Sequence, residues 1–186
     1  MTYSMTIAGL RRELPICKVT DDLYIAGFVI FGDPVLTVAC ARELLAIAPP
    51  HDYMITAEAK GIPLVHEMAR QSGSEKYFLA RKSPKLYMRD IFSVEVNSIT
   101  TASIQRLYLD MDDAAQIQGK RILIVDDVVS TGESIHAVEA LIAKANGSVC
   151  GKMAILAEGE ARNRSDLHYL EPLPLFNPDG TPKPDA

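Results

Sequence analysis

The pattern of apolar and polar positions divides the chain into short elements, and one of them stands apart. Residues 121–127 read RILIVDD, four aliphatic side chains in a row followed at once by two carboxylates. Such an unbroken run predicts a strand buried on both faces, in the centre of a parallel sheet. After it, Ile135, Val138, Leu141, Ile142 and Ala145 recur at helical spacing, and Asn146-Gly147 ends that helix. SVCGKMAIL (148–156) predicts one more strand.

Upstream, DLYIAGFVIFGD (22–33) predicts one or two short strands that close on a Gly-Asp-Pro turn. Asp33 then serves as N-cap with Pro34 at the first helical position, and the helix runs through VLTVACARELLAIA until Pro49-Pro50 stops it. YMITA (53–57) is a short buried strand, EAKG (58–61) a turn, and IPLVHEMARQSG (62–73) a helix ended by Gly73. KYFLA (76–80) is a strand leading into the basic, poorly periodic RKSPKLYMRD (81–90). SVEVNS (93–98) and SIQRLYLD (103–110) alternate as half-exposed antiparallel strands do, and DMDDAAQIQGK (110–120) reads as a polar turn. Strands alternating with helices give an α/β fold, an open, mainly parallel sheet flanked by helices.

With 186 residues the chain has room for one sizeable core rather than two, and at 48% hydrophobic and 23% charged it is ordinary globular material. A net charge of -5 removes the broad positive field that non-specific nucleic-acid binding needs. Three scattered cysteines, Cys17, Cys40 and Cys150, form neither a disulfide framework nor a zinc site, so they are expected to be reduced. No signal peptide and no 18-residue apolar run is present, so a cytoplasmic protein without a membrane span is expected. The four histidines form no pattern and are read as structural.

In open α/β sheets ligands bind at the carboxyl ends of strands, and Asp126 and Asp127 lie at such an end. Directly after them, Ser130, Thr131, Gly132, Glu133 and Ser134 open a helix. The first amides of a helix lack partners and carry the positive end of its dipole, so a phosphate fits there, with hydroxyls as further donors and Gly132 allowing close approach. Carboxylates beside a phosphate cradle suit sugar hydroxyls or a cation that the substrate brings. A ribose 5-phosphate group meets both demands.

VDDVVSTGES (125–134) resembles the phosphoribosyl pyrophosphate (PRPP) signature of the type I phosphoribosyltransferases. ITAEAKGIPLV (55–65) is similar to the pyrophosphate loop of the purine enzymes of that family, and LARKSPK (79–85) to the segment that begins the mobile loop of adenine and xanthine phosphoribosyltransferases. The resemblance, which runs from about residue 22 to 157, implies the type I fold: a single domain over 1–186, with a small hood lobe from residues 1–32 and about 160–178 and a loose tail at 179–186. It implies that Asp126 and Asp127 bind the ribose hydroxyls and that Ser130 to Ser134 hold the 5-phosphate, Glu133 through its amide. It implies further that Ala59, Lys60 and Gly61 contact pyrophosphate through backbone amides while Glu58 orients the turn. Arg81, Lys82 and Lys85 would neutralise pyrophosphate as it leaves, with Lys82 counted beside the acid pair as catalytic. Mg2+ would arrive with PRPP rather than on a protein metal site, and residues 83–103 would form a lid.

The expected acceptor is a purine base. Hypoxanthine-guanine enzymes of the family usually carry aspartate where this chain has Ser130, so the chain looks more like the adenine or xanthine group. Phe28 and Val128 are candidates to contact the base, with Phe31 an alternative to Phe28. A homodimer without nucleic-acid or membrane partners is expected. Two other classes compete. A non-catalytic PRPP-binding regulator could use the same site, although such proteins add a DNA-binding segment or a basic face. ILIVDD also resembles the acidic pair of phosphate-accepting receivers, but there the pair ends the first strand and no T-G-x-S follows.

Overall fold

A computed structural model describes residues 1–97 and 104–184 of the chain. Its centre is a five-stranded sheet of β4 (Tyr53–Ala57), β5 (Phe78–Ala80), β8 (Arg121–Val129), β9 (Ser148–Glu158) and β10 (His168–Leu173). The order is β10-β9-β8-β4-β5 and every neighbouring pair is parallel. Ile122 to Val125 of β8 are at most 2% exposed. Removing each of these aliphatic side chains from water contributes about 1.5–3 kcal/mol, which explains why the uninterrupted run takes the central position.

Two helices cover one face and two the other. Helix α1 (Pro34–Ile47) starts as its sequence dictates, Asp33 accepting from the Leu36 amide at 2.9 Å with proline in the first turn. It packs on α2 (Ile62–Ser72), which ends at Gly73 in the left-handed region. Helix α4 (Glu133–Lys144) buries Ile135, Ala137, Val138, Leu141 and Ile142 against the opposite face, beside a hairpin of β6 (Ile91–Asn97) and β7 (Ile104–Asp110). A second sheet, ordered β1-β2-β3-β11, pairs the N-terminal hairpin (β1, Thr2–Ile7; β2, Leu10–Lys18) with β3 (Tyr24–Ala26) and β11 (Leu175–Phe176). Its Ile7, Leu14, Ala26 and Phe176 share one core with α1, α2 and β8. The β1–β2 hairpin, which turns through Ala8 and Gly9 at φ 48° and 78°, is an element that the sequence pattern leaves unassigned.

Several elements differ from expectation. DMDDAAQIQGK contains a helix, α3 (Met111–Ile117), rather than only a turn. Asp110 caps it through the Asp112 amide, Asp112 and Asp113 lie in its first turn, and Ala114 and Ile117 are its buried residues. Two buried positions in seven are too few to register as helical periodicity, so capping and the dipole decide. Past Ala26, residues 27–31 keep strand-like alternation, with Phe28 and Ile30 buried and Val29 and Phe31 exposed, but belong to no strand. The tail is held as far as Lys183, whose amide donates to the Leu175 carbonyl. Residues 98–103 of the expected lid lie outside the described residues.

One difference matters for function. β8 does not stop at the acid pair but continues through Val128-Val129, which pair with Leu156 and Ala157 of β9. On its other side β4 pairs with β8 only as far as Ile55–Ile124. The strands therefore part at their carboxyl ends. The chain runs outward from β4 through α2 to β5 in one direction, and from β8 through α4 to β9 in the other. Such a reversal of strand order opens a crevice in α/β sheets, here between β4 and β8.

Candidate active site

From the β8 side, the crevice receives Asp126, Asp127 and the loop to α4. Asp127 is 2% exposed, and its amide donates to Asp126 Oδ1 at 2.9 Å. Its Oδ2 lies 3.2 Å from Lys60 Nζ but takes part in no hydrogen bond of acceptable geometry. Burial, and after it the charge of Asp127, pushes the Asp126 carboxyl up to about 7. The site thus keeps two acids together with one lysine and leaves a buried oxygen short of a hydrogen-bond donor. A ligand that supplies hydroxyl donors would satisfy that oxygen.

The loop beyond closes on a small cavity of about 50 Å³, lined by Asp126, Val128 and all of residues 129–135. Gly132 is the N-cap of α4 at φ 78°, and the Thr131 hydroxyl accepts from the Glu133 amide at 3.4 Å. The polarity of a helix N-terminus suits an anion here. The five residues Ser130 to Ser134 all line this cavity.

From the β4 side comes the turn Glu58–Gly61, in which the Glu58–Ala59 peptide is cis. A methyl group at Gly61 would lie 2.1 Å from the Thr56 hydroxyl and 3.3 Å from Asp126 Oδ1, so the missing side chain is what lets this turn approach the acid pair. Glu58 faces away from that approach and organises the next segment. Its Oε1 accepts from Arg81 Nη1 at 2.9 Å, its Oε2 from the Lys82 amide at 3.1 Å, and Lys85 Nζ lies 3.5 Å from Oε1. Burial opposes ionisation of Glu58, but the Lys82 amide and the Arg81 guanidinium outweigh it and hold the carboxyl below its ordinary range. Replacement of Glu58 by glutamine is expected to speed amide hydrogen exchange at Lys82 about 10-fold, the size of one lost charge-assisted bond, while exchange in β8 stays unchanged. Equal acceleration in both would mean that Glu58 supports the whole fold rather than this segment.

Of the two residues expected at a base, Val128 is half-buried against the hood-side core. Phe28 belongs to that core at 5% exposure and borders a cavity of about 230 Å³ with Arg12, Pro15 and Gly27. The side chains of three histidines have partners elsewhere: His51 meets the Pro49 carbonyl, His66 the edge of Tyr77, and His136 approaches Glu139.

Three residues join the site without a local signal in the sequence. Thr56 sets the fit of Gly61. Glu158 ends β9 two residues past the Val128–Leu156 pair; burial raises its carboxyl, with Lys60 opposing. Arg164 reaches back to cover Gly132. The latter two lie far down the chain from the motif, and only the parallel pairing of β8 with β9 brings them near.

Residues 50–172 match the family of the phosphoribosyl transferase domain. The chain is 31% identical over 164 residues to a hypoxanthine/guanine phosphoribosyltransferase of Methanotorris igneus, covering 85% of each. It is 26% identical over 174 residues to an adenine phosphoribosyltransferase of Kosmotoga olearia, covering 90% of this chain and 91% of the relative. Among solved structures, adenine phosphoribosyltransferase from Rhodothermus marinus shares the fold with a TM-score of 0.61 at 18% identity, over 92% of this chain and 94% of that one.

Proposed function

Because the chain belongs to the phosphoribosyltransferase family, we propose that it transfers the phosphoribosyl group of Mg-PRPP to a purine base, giving a nucleoside monophosphate and pyrophosphate. The crevice between β4 and β8 carries this reading. It sets an acid pair with an unsatisfied oxygen beside an anion-sized loop on one side, and a glycine turn with nearby cations on the other.

In the reaction the bond from ribose C1 to pyrophosphate breaks, C1 bonds to a ring nitrogen of the base, and that nitrogen sheds its proton. Positive charge grows on the sugar and negative charge on the leaving group, so only contacts that strengthen with this separation lower the barrier. Asp126 and Asp127 accept the ribose hydroxyls and favour the cationic ring. Ser130, Thr131, Gly132, Glu133 and Ser134 hold the 5-phosphate, with Glu133 acting through its backbone. Amides of Ala59, Lys60 and Gly61, with Arg81, Lys82 and Lys85, receive pyrophosphate. Substrate-borne Mg2+ shares that charge.

The base enters beneath the hood, near Phe28 and Val128. Ser130 leaves no carboxylate at the position that reads the purine in hypoxanthine-guanine enzymes, which favours an adenine- or xanthine-type acceptor. Val29, Phe31, Val35 and Val38 expose apolar surface at 58%, 49%, 62% and 43% on α1 and the segment before it. That face fits a homodimer of single-domain subunits. Among the described residues no helix is long and apolar enough to cross a membrane.

Titration calorimetry with Mg-PRPP tests the site. The ribose hydroxyls donate, so the ionised pair is the binding form, and the Asp126 carboxyl lies near 7. Affinity is therefore expected to rise about 10-fold between pH 6 and pH 8 as one proton leaves. Ionisation of the PRPP phosphate would persist in an Asp126→Asn variant, whereas this rise would not. A wild-type profile no steeper than the variant's would contradict the role given to Asp126.

A further inference from the structure

Gly132 is buried although it lies in an exposed loop, and the group that covers it is a guanidinium. A methyl group at Gly132 would sit 2.2 Å from Arg164 Nη1. Arg164 follows the short 3-10 turn Gly159–Asn163, and its side chain is fixed from behind. Nε and Nη2 donate to Asp166 Oδ1 and Oδ2 at 3.0 and 2.9 Å, which leaves Nη1 as the edge turned to the loop. Asp166 Oδ2 also accepts from Lys152 Nζ at 2.7 Å, and Lys152 pairs with Glu139 of α4. The chain of charges therefore ties Arg164 to β9 and to the helix that the loop opens.

Arg164 is not among the residues lining the loop's cavity, but its guanidinium packs against Gly132, which is. From there it sets a fixed positive charge beside the glycine that caps α4, at the start of the helix the loop opens. Resting on the phosphoribosyltransferase reading, we propose that Arg164 is a positioning residue of the 5-phosphate loop, one that selects for the phosphate end of the substrate and takes no part at pyrophosphate or base. The pairing with Asp166 strengthens the proposal: both carboxylate oxygens hold the guanidinium in place.

The test compares wild type with Arg164→Met, which keeps bulk without charge, and Arg164→Lys, which keeps charge. Binding of ribose 5-phosphate is measured by calorimetry, and KM is measured for PRPP and base forward and for nucleoside monophosphate and pyrophosphate in reverse. Arg164→Met is expected to weaken ribose 5-phosphate about 10-fold and to raise KM equally for PRPP and the monophosphate, the two substrates that carry the 5-phosphate. KM for base and pyrophosphate should stay within about 2-fold, and lysine should recover most of the loss. If Arg164→Met does not fold, Asp166→Asn, which releases the guanidinium without removing it, is expected to shift the same two KM values in the same direction by a smaller factor. Unchanged ribose 5-phosphate affinity, or an equal loss toward pyrophosphate, would overturn the proposal. Wild-type protein that binds neither ribose 5-phosphate nor PRPP would instead overturn the phosphoribosyltransferase reading, and the role of Arg164 with it.

Discussion

Replacing both acids of the pair, Asp126→Asn with Asp127→Asn, is expected to abolish PRPP-dependent turnover while raising the melting temperature of the ligand-free protein. The loss follows from charge: amides cannot balance the cation that forms on the ribose, and removing such preorganised contacts lowers rates by about 10³-fold or more when they act as a unit. The gain follows from linkage. Burial and then Asp127 raise the Asp126 carboxyl to about 7 in the folded protein, against roughly 3.9 in an unfolded chain. The folded state thus binds more protons between these values. Its stability from this group is complete below the lower value and is lost as pH rises through the upper one. At pH 8 the wild type carries that loss and the double variant does not. Calorimetric melting is therefore expected to show the double variant melting above wild type by several degrees at pH 8, a gap that closes at pH 4. A variant that melts lower at pH 8 would show that the two carboxylates stabilise the fold instead of straining it for function.

The second large effect belongs to Gly61→Ala. Gly61 has φ -69° and ψ -11°, an ordinary right-handed conformation that alanine adopts freely. The obstacle is contact alone. The new methyl would meet the Thr56 hydroxyl at 2.1 Å, Thr56 is fully buried in β4, and Asp126 Oδ1 lies 3.3 Å away. The turn must therefore move outward, at a cost of about 1–3 kcal/mol in stability. A shift of about 1 Å in groups that position a reacting substrate lowers kcat/KM by about 100-fold. Thr56→Ala removes the opposing oxygen, so the double variant Gly61→Ala/Thr56→Ala is expected to recover about 10-fold of that activity. Failure of any rescue would mean that the glycine serves something other than this close approach.

Much of this arrangement was legible in the chain. Where one face of an element carries its hydrophobic residues and its ends carry caps, as in α1 with Asp33-Pro34 and α2 with Gly73, pattern and structure agree. The placing of the acid pair and its loop between a strand and a helix was legible because an aliphatic run precedes them and helical spacing follows. Helix α3 was not, since its seven residues bury only Ala114 and Ile117. Nor was the extension of β8 past Asp127, because two carboxylates within a strand oppose its pattern and only pairing to Leu156 and Ala157 sustains it. Thr56, Glu158 and Arg164 were beyond sequence for one shared reason. Each acts through a neighbour supplied by a different strand or loop, and no spacing along the chain encodes that.

The central claim, that this crevice transfers a phosphoribosyl group, is tested most directly by pyrophosphate release from Mg-PRPP with adenine, guanine, hypoxanthine, xanthine and orotate offered in turn. Turnover with a purine, adenine or xanthine first, lost in the Asp126→Asn/Asp127→Asn variant, is the expected result. PRPP binding without release on any of the five bases would contradict it and identify a protein that senses PRPP without consuming it.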